Sequence, residues 1–210
     1  MKRFFVTDGI VDHHRGARNN ISRPSGHTYT FNLYKCALIF YGGMFMKKIA
    51  VIMGSDSDLP VVKKAIGVLE EFNAPYEVHI FSAHRTPDEA AEFSRNAREN
   101  GFGAIIAAAG MAAHLAGAIA ANTTLPVVGI PISSGGLGGI DALFSTVQMP
   151  TGIPVATVAV NGAANAAFLC LQMLAISDEK LAGKILEKRK NDSKAVLEKD
   201  RTVLEKLKEV

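Results

Sequence analysis

Short apolar runs alternate with segments of helical spacing from Ile49 to the end of the chain. Runs such as 49–53 and 104–109 are apolar on both faces, which is typical of strands buried on both sides of a parallel sheet. Most of the segments between them repeat their apolar residues every three to four positions, as helices packed on such a sheet do. The predicted strands are 49–53, 76–81, 104–109, 127–130 and 154–160, and the predicted helices are 59–72, 87–100, 113–121, 141–148, 163–176 and 178–208, the last either continuous or broken around 191–193.

These repeated βα units predict an α/β fold: a three-layer α/β/α sandwich with a parallel sheet, of the flavodoxin-like or Rossmann-like type. Right-handed crossovers bring the carboxyl ends of all the strands to one edge of the sheet, where ligands bind in folds of this kind. We therefore expect the functional residues in the loops that follow the strands.

Charge divides the chain of 210 residues into two parts. Residues 1–45 carry six basic and two acidic side chains, a net charge of +4, without sustained periodicity. Residues 46–210 carry seventeen basic and eighteen acidic side chains, a net charge of −1. This part of the chain therefore does not present a basic nucleic-acid-binding surface. We expect 1–45 to be an N-terminal extension outside the native fold, an upstream read-through or added leader with Met46 as the natural start, and 46–210 to be one catalytic domain with a C-terminal helix. A transit peptide is the second-ranked alternative, because no amphipathic helix pattern accompanies the arginines.

The two cysteines, Cys36 and Cys170, give neither a disulfide framework nor a CxxC pair. Cys170 lies in an apolar helical run, which predicts an inert buried thiol. This cysteine usage favours a reducing compartment, the cytosol.

Between Glu99 and Asp178 the only Asp, Glu, Lys or Arg is Asp141. A membrane span is excluded, because four prolines and many glycines divide the stretch below the roughly 20 residues that a span needs. The remaining explanation is that more of this uncharged stretch is buried than one small domain can bury by itself. We therefore expect a homo-oligomer whose subunit interfaces cover the uncharged helices 113–121 and 163–176.

A glycine- and serine-containing loop follows the first strand: Gly54, Ser55, Asp56, Ser57 and Asp58. A tight turn, hydroxyl groups and the N–H groups of a helix start suit a phosphate, and Asp58 suits a sugar hydroxyl. The alternative is that Ser57 or Asp58 simply caps the helix. Two carboxylates could also hold magnesium, but that signal is weak and we expect no metal. Neither the GxxxxGK[ST] nor the GxGxxG pattern follows a strand, which disfavours nucleoside triphosphates and NAD.

The second strand ends in Ser82, Ala83, His84 and Arg85, and residues 86–89 have the pattern of a capping box with proline at the first helical position. The helix start disfavours the imidazolium form, so we expect a largely neutral His84 suited to general acid–base catalysis. Arg85 would hold an anionic group with its planar fork. The alternative is a histidine that only caps or packs.

Small residues follow the third strand and allow a ligand to approach the backbone closely. His114 starts the next helix and is expected either to cap it or bond a loop carbonyl, or to contact the substrate. His79 alternates within a strand and is expected to be structural, while the glycine-rich segment 135–139 suits a flexible loop over the crevice. The candidate residues on the third loop are Gly110, Ala112, Ala113, His114 and Leu115.

Together these motifs resemble one family, the N5-carboxyaminoimidazole ribonucleotide mutases of purine biosynthesis, the catalytic subunit of phosphoribosylaminoimidazole carboxylase. The resemblance covers about 47–176 and is closer to the bacterial mutase class than to the animal-type class that carboxylates aminoimidazole ribonucleotide directly. It implies a flavodoxin-like octamer and a mutase that requires no metal, ATP or organic cofactor. The motifs are 51–58, 82–87, 112–115, 139–143, 148–150 and 152–157.

The resemblance also implies roles. Ser55, Asp58 and Arg85 would bind the ribonucleotide, and His84 would be the general acid/base in a carboxyl transfer through trapped CO2. Residues 82–83 and 110–115, apart from Met111, would line the CO2 and imidazole pocket, and 148–150 would reach a neighbouring subunit's site. Met111, Ala116 and Thr151 depart from the family pattern. A direct carboxylase of aminoimidazole ribonucleotide or another mononucleotide, and a non-enzymatic nucleotide-binding protein, remain the alternatives.

Overall fold

A computed structural model describes residues 46–208. Its five strands form one parallel sheet in the order β2-β1-β3-β4-β5. This is the flavodoxin-like order, in which the chain reverses its winding direction between β1 and β3 and leaves a crevice at that point. The predicted α/β sandwich with a parallel sheet is therefore confirmed. The strands are β1 (Lys48–Met53), β2 (Tyr76–Ile80), β3 (Phe102–Gly110), β4 (Val127–Ile132) and β5 (Ala156–Thr157).

Helices cover both faces of the sheet. Alternate side chains of β1 divide between two buried clusters: Val51 packs with α1, α5 and the start of α6, whereas Ile52 packs with α2 and α3. The sheet is thus the middle layer of three, and the central strands have no wet face. The helices are α1 (Leu59–Glu71), α2 (Pro87–Asn96), α3 (Leu115–Ala120), α4 (Ile140–Val147), α5 (Ala163–Ala175) and α6 (Glu179–Lys208).

Most of the predicted helices and strands are present, but they begin or end at other residues than predicted. The fifth strand is much shorter than 154–160, because β5 is an edge strand paired only through Ala156 and Thr157, and Pro154 lacks an N–H for a ladder bond. The α6 helix runs unbroken through 191–193, where Lys188 and Asp192 form an ion pair one turn apart. The alternative of two helical pieces is therefore wrong.

Part of the uncharged region is covered within the chain itself. The α3 helix packs on β3 and β4, and α5 is partly covered by α1 and the first turns of α6, whose Leu181 and Ile185 are buried. Large exposed apolar side chains occur on β2, after α5 and along α6, and on α4 three of them, Ile140, Phe144 and Val147, share one face. Within residues 46–208, no helix is both long and apolar enough to span a membrane.

Candidate functional site

A cavity of about 520 Å³ opens at the carboxyl ends of β1, β2 and β3, a volume typical of small-ligand sites. It lies at the reversal point of the sheet, where the crevice was expected. Twelve of the fourteen candidate residues line it, all except Asp56 and Ala113. The lining residues are Gly54, Ser55, Ser57, Asp58, Ser82, Ala83, His84, Arg85, Ala109, Gly110, Met111, Ala112, His114, Leu115 and Ser134.

The loop after β1 is held by its own side chains. The Ser55 hydroxyl accepts a hydrogen bond from the Ser57 N–H at 3.3 Å, and the Asp58 carboxylate accepts one from the Ser55 N–H at 3.1 Å. Asp56 accepts from the Ser57 N–H at 3.1 Å and from the Ser55 hydroxyl at 3.0 Å. Asp56 is exposed and does not line the cavity itself, but it lines an adjoining depression together with Ser55 and Arg85.

Asp58 is the buried acid of this loop, with 6% of its surface exposed. Burial raises the pKa of its carboxyl, and hydrogen bonds from the backbone of Ser55 and Gly54 counteract part of that shift. Asp58 stands at the start of α1, yet its side chain makes no capping hydrogen bond there. The alternative that Asp58 caps α1 is therefore wrong, but its carboxylate does complete a capping box with Ser55 on the turn before α1, which holds it on the cavity wall.

The loop after β2 closes on itself through Ser82 and Thr86. The Thr86 hydroxyl accepts from the Ser82 N–H at 2.8 Å and donates to the Ser82 carbonyl at 3.2 Å, while the Ser82 hydroxyl accepts from the Arg85 N–H at 3.2 Å. Because the Thr86 side chain is engaged across the loop, it does not cap α2. The predicted capping box at 86–89 is wrong, although the helix still begins at Pro87.

His84 and His114 meet across the cavity. The Nε2 atom of His84 lies 3.0 Å from Nδ1 of His114, with the two rings nearly perpendicular. A contact of this length between two ring nitrogens has one proton between them, given by one nitrogen and accepted by the other, and the tautomers decide which is the donor. His114 stands before α3 without capping it, so its ring is committed to the histidine pair.

The Arg85 guanidinium reaches back to the first loop, donating from Nη2 to the Gly54 carbonyl at 3.3 Å. This contact brings a permanent cation beside the hydroxyls of Ser55 and Ser57. The cavity therefore has a cationic, hydroxyl-rich end and an end that carries the histidine pair.

Ser134 is a lining residue that our sequence analysis missed. It follows β4, and a Cβ added to Gly110 would lie only 2.0 Å from its hydroxyl oxygen. Ser134 immediately precedes the glycine-rich segment 135–139, so the strand-end rule used for the other loops would have found it. Ala113, in contrast, is buried beneath the loop rather than exposed on the cavity wall.

The third histidine of the described region, His79, lies on β2 away from the cavity. Its ring stacks on Phe81 at 5.3 Å and packs against Phe93 at 4.8 Å, which fits the structural role expected for it. In the part of the chain that the structure describes, no three His, Cys, Asp or Glu side chains group in a way that could hold a metal ion.

The fold and the cavity define the class: a flavodoxin-like α/β protein with a paired-histidine site at the strand ends. The chain belongs to the AIR carboxylase family, whose family model matches residues 48–195.

Several relatives are about half identical to this chain. The N5-carboxyaminoimidazole ribonucleotide mutase of Thermotoga maritima is 52% identical over 154 residues, which are 73% of this chain and 90% of that protein. The mutase of Bacillus subtilis is 51% identical over 152 residues, 71% of this chain and 94% of that protein. The chloroplastic phosphoribosylaminoimidazole carboxylase of Vigna aconitifolia is 50% identical over 146 residues, 70% of this chain but 26% of that protein.

The crystal structure of Treponema denticola PurE superposes with a TM-score of 0.68 at 24% sequence identity. The match covers 74% of this chain and 97% of that chain. At this identity the likeness shows the fold alone, and it supports the flavodoxin-like assignment.

Asp58→Asn is predicted to raise Tm at pH 7. Burial raises the pKa of the Asp58 carboxyl above its ordinary value of 3.8, so the ionised form is less favourable in the folded than in the unfolded chain. The resulting destabilisation has its full size at pH values above the folded-state pKa. It disappears as the pH falls through that pKa toward 3.8. Asparagine carries no charge and can still accept the Ser55 N–H.

Thermal melts at several pH values test this prediction. The Tm advantage of Asp58→Asn should shrink as the pH is lowered, whereas Asp200→Asn, an exposed change on α6, should shift Tm by no more than about one or two degrees. A lower Tm for Asp58→Asn at pH 7 would contradict the role of burial.

Proposed function

We propose that this chain interconverts N5-carboxyaminoimidazole ribonucleotide and 4-carboxyaminoimidazole ribonucleotide, an isomerisation in purine (IMP) biosynthesis. Family membership supports the proposal, as do mutases that are about half identical and matched over most of their length. The observation that carries it is the contact of His84 with His114 inside the cavity, at 3.0 Å. It provides a proton donor and acceptor beside a space of nucleotide size.

The charges of the cavity suit a ribonucleotide in one orientation. The Arg85 cation and the hydroxyls of Ser55 and Ser57 would bind the phosphate, while the Asp58 carboxylate accepts hydrogen bonds from ribose hydroxyls. The imidazole ring then points toward His84. Asp56 does not line the cavity, but its carboxylate lies 3.0 Å from the Ser55 hydroxyl, so a phosphate bound by that hydroxyl would have to replace this hydrogen bond.

The carboxyl shift balances without an external acid or base. The bond between N5 and the carboxyl carbon breaks, N5 keeps the electron pair and takes a proton from protonated His84, and CO2 is released into the cavity. The C4 carbon then attacks this CO2 with the electrons of the ring enamine, and His84 removes the proton that C4 carried. His84 ends protonated, as it began, so this cycle starts from the imidazolium rather than from the largely neutral form expected at a helix start. His114 supports both states through the shared hydrogen bond.

The CO2 must stay near C4 while the bonds exchange. Gly110 and Ala112, with Ala83 opposite, present small side chains to the cavity. A Cβ on Gly110 would strike Ser134, so the space cannot be narrowed there without displacing the next loop. These small residues leave room for a CO2 molecule beside the imidazole ring.

Two other functions make different predictions. A direct carboxylase would turn over aminoimidazole ribonucleotide, or another mononucleotide, with bicarbonate, and the plant relative bears a carboxylase name. A non-enzymatic nucleotide-binding protein would need the first loop but not the histidine pair. Turnover compared on the carboxylated and uncarboxylated ribonucleotides separates these alternatives.

We also propose a cytoplasmic homo-octamer. Three exposed apolar residues of α4, Ile140, Phe144 and Val147, together with Leu137 before it, form a surface that a monomer would leave in water. Residues 148–150 follow α4 directly, so an interface on this face would carry them toward a neighbouring subunit's site. The family resemblance supports the number eight, and the buried free thiol of Cys170 suits a reducing cytosol.

Light scattering tests the assembly. We expect a particle several times the mass of one chain at micromolar concentration. Phe144→Glu should shift it toward smaller species because a charge would enter the apolar interface, whereas Lys64→Glu on α1 should not. A stable wild-type monomer would contradict the proposal.

His84→Asn is predicted to lower mutase kcat by at least about 100-fold, the contribution expected of a general acid–base group. Nucleotide binding and oligomer mass should remain, because His84 is on an exposed loop. His79→Asn is the control, since it removes an imidazole outside the cavity and should retain turnover in whatever fraction of the protein folds. Unchanged kcat in His84→Asn would overturn the mechanism.

A further inference from the structure

Met111 has a backbone conformation that methionine rarely adopts. Its φ is +54°, in the left-handed region where Cβ crowds the backbone. The other two non-glycine residues of the described region with positive φ are Asn73 and Asn161, and asparagine tolerates this region. The Asn161 side chain also accepts the Ser133 N–H at 3.0 Å. A methionine side chain offers no such compensating hydrogen bond.

The neighbouring backbone holds Met111 in place. The Ala113 N–H donates to the Met111 carbonyl and the His114 N–H to the Ala112 carbonyl, each at 2.9 Å. On the other side, Gly110 is confined by Ser134. The turn that directs His114 toward His84 therefore also places the Met111 side chain on the cavity wall. There 63% of the surface of Met111 is exposed.

Met111 differs in kind from the other apolar residues of the cavity. Ala83, Ala109 and Ala112 are short, and Leu115 is buried with 2% of its surface exposed. Among the described lining residues, Met111 alone presents a long, flexible and exposed apolar side chain. A ligand that covered it would remove that surface from water, and a thioether makes favourable contacts with aromatic rings.

We propose that Met111 is a specificity-determining residue whose thioether covers the heterocycle of the bound ribonucleotide. This inference rests on the proposed function, because it assumes an aromatic base at the histidine end of the cavity. The left-handed turn at Met111 places this side chain on the cavity wall, where it would meet the ring. The phosphate and ribose, bound at the first loop, do not contact Met111.

Three substitutions separate the side chain from its backbone. Met111→Ala keeps the left-handed strain and removes the cover, so it should raise Kd for 4-carboxyaminoimidazole ribonucleotide about two- to tenfold with little change in Tm. Met111→Gly removes both the backbone strain and the side chain, so it should weaken nucleotide binding as much as Met111→Ala does while raising Tm. Met111→Leu keeps an apolar cover and should bind within about threefold of the wild type.

Calorimetric titration with the nucleotide and with ribose 5-phosphate gives the decisive comparison. The losses in Met111→Ala and Met111→Gly should appear for the nucleotide and not for ribose 5-phosphate. Unchanged nucleotide affinity in both variants, or equal losses for both ligands, would overturn the role of Met111. Absent mutase turnover in the wild type would overturn the proposed function, while the two-ligand comparison would still test the cover.

Discussion

The parallel pairing of β1 with β3 at the centre of the sheet is the constraint on which the site depends. After a register shift between Lys48 and Ile49 the two strands pair regularly up to Met53, and the Gly54 N–H extends the pairing by donating to the Ala108 carbonyl at 3.0 Å. Because the chain reverses its winding direction here, the loops after β1, β2 and β3 diverge around one cavity. Residues 30 positions apart, His84 and His114, can then come within hydrogen-bonding distance.

Several features of the structure are unfavourable for the isolated chain. Burial raises the pKa of the Asp58 carboxyl, Met111 has a left-handed backbone, and the apolar residues of α4 face outward. Each is understandable once a partner is supplied: a sugar for the carboxylate, a heterocycle for the thioether and a second subunit for α4. Functional sites commonly retain such local conflicts, which the rest of the structure stabilises.

The sequence predicted the architecture and most of the candidate site, because apolar periodicity and strand-end position are both local signals. The prediction was wrong where one hydroxyl had two possible partners. The sequence at 86–89 has the pattern of a capping box, but the Thr86 side chain bonds to Ser82 across the loop. A capping box forms instead at Ser55 and Asp58, on the turn before α1. The contact between His84 and His114, the outward position of Asp56 and the lining role of Ser134 all depend on how separate loops meet, which spacing along one chain does not determine.

The central claim is that the cavity moves a carboxyl group within one substrate molecule, with the protein's own groups moving the proton. The most direct test is turnover of N5-carboxyaminoimidazole ribonucleotide labelled with carbon-13 in its carboxylate, in excess unlabelled bicarbonate, with mass analysis of the product. We predict that most product molecules retain the label, because the released CO2 is captured before it leaves. Product labelled only to the level of the bulk bicarbonate would contradict the account and favour direct carboxylation.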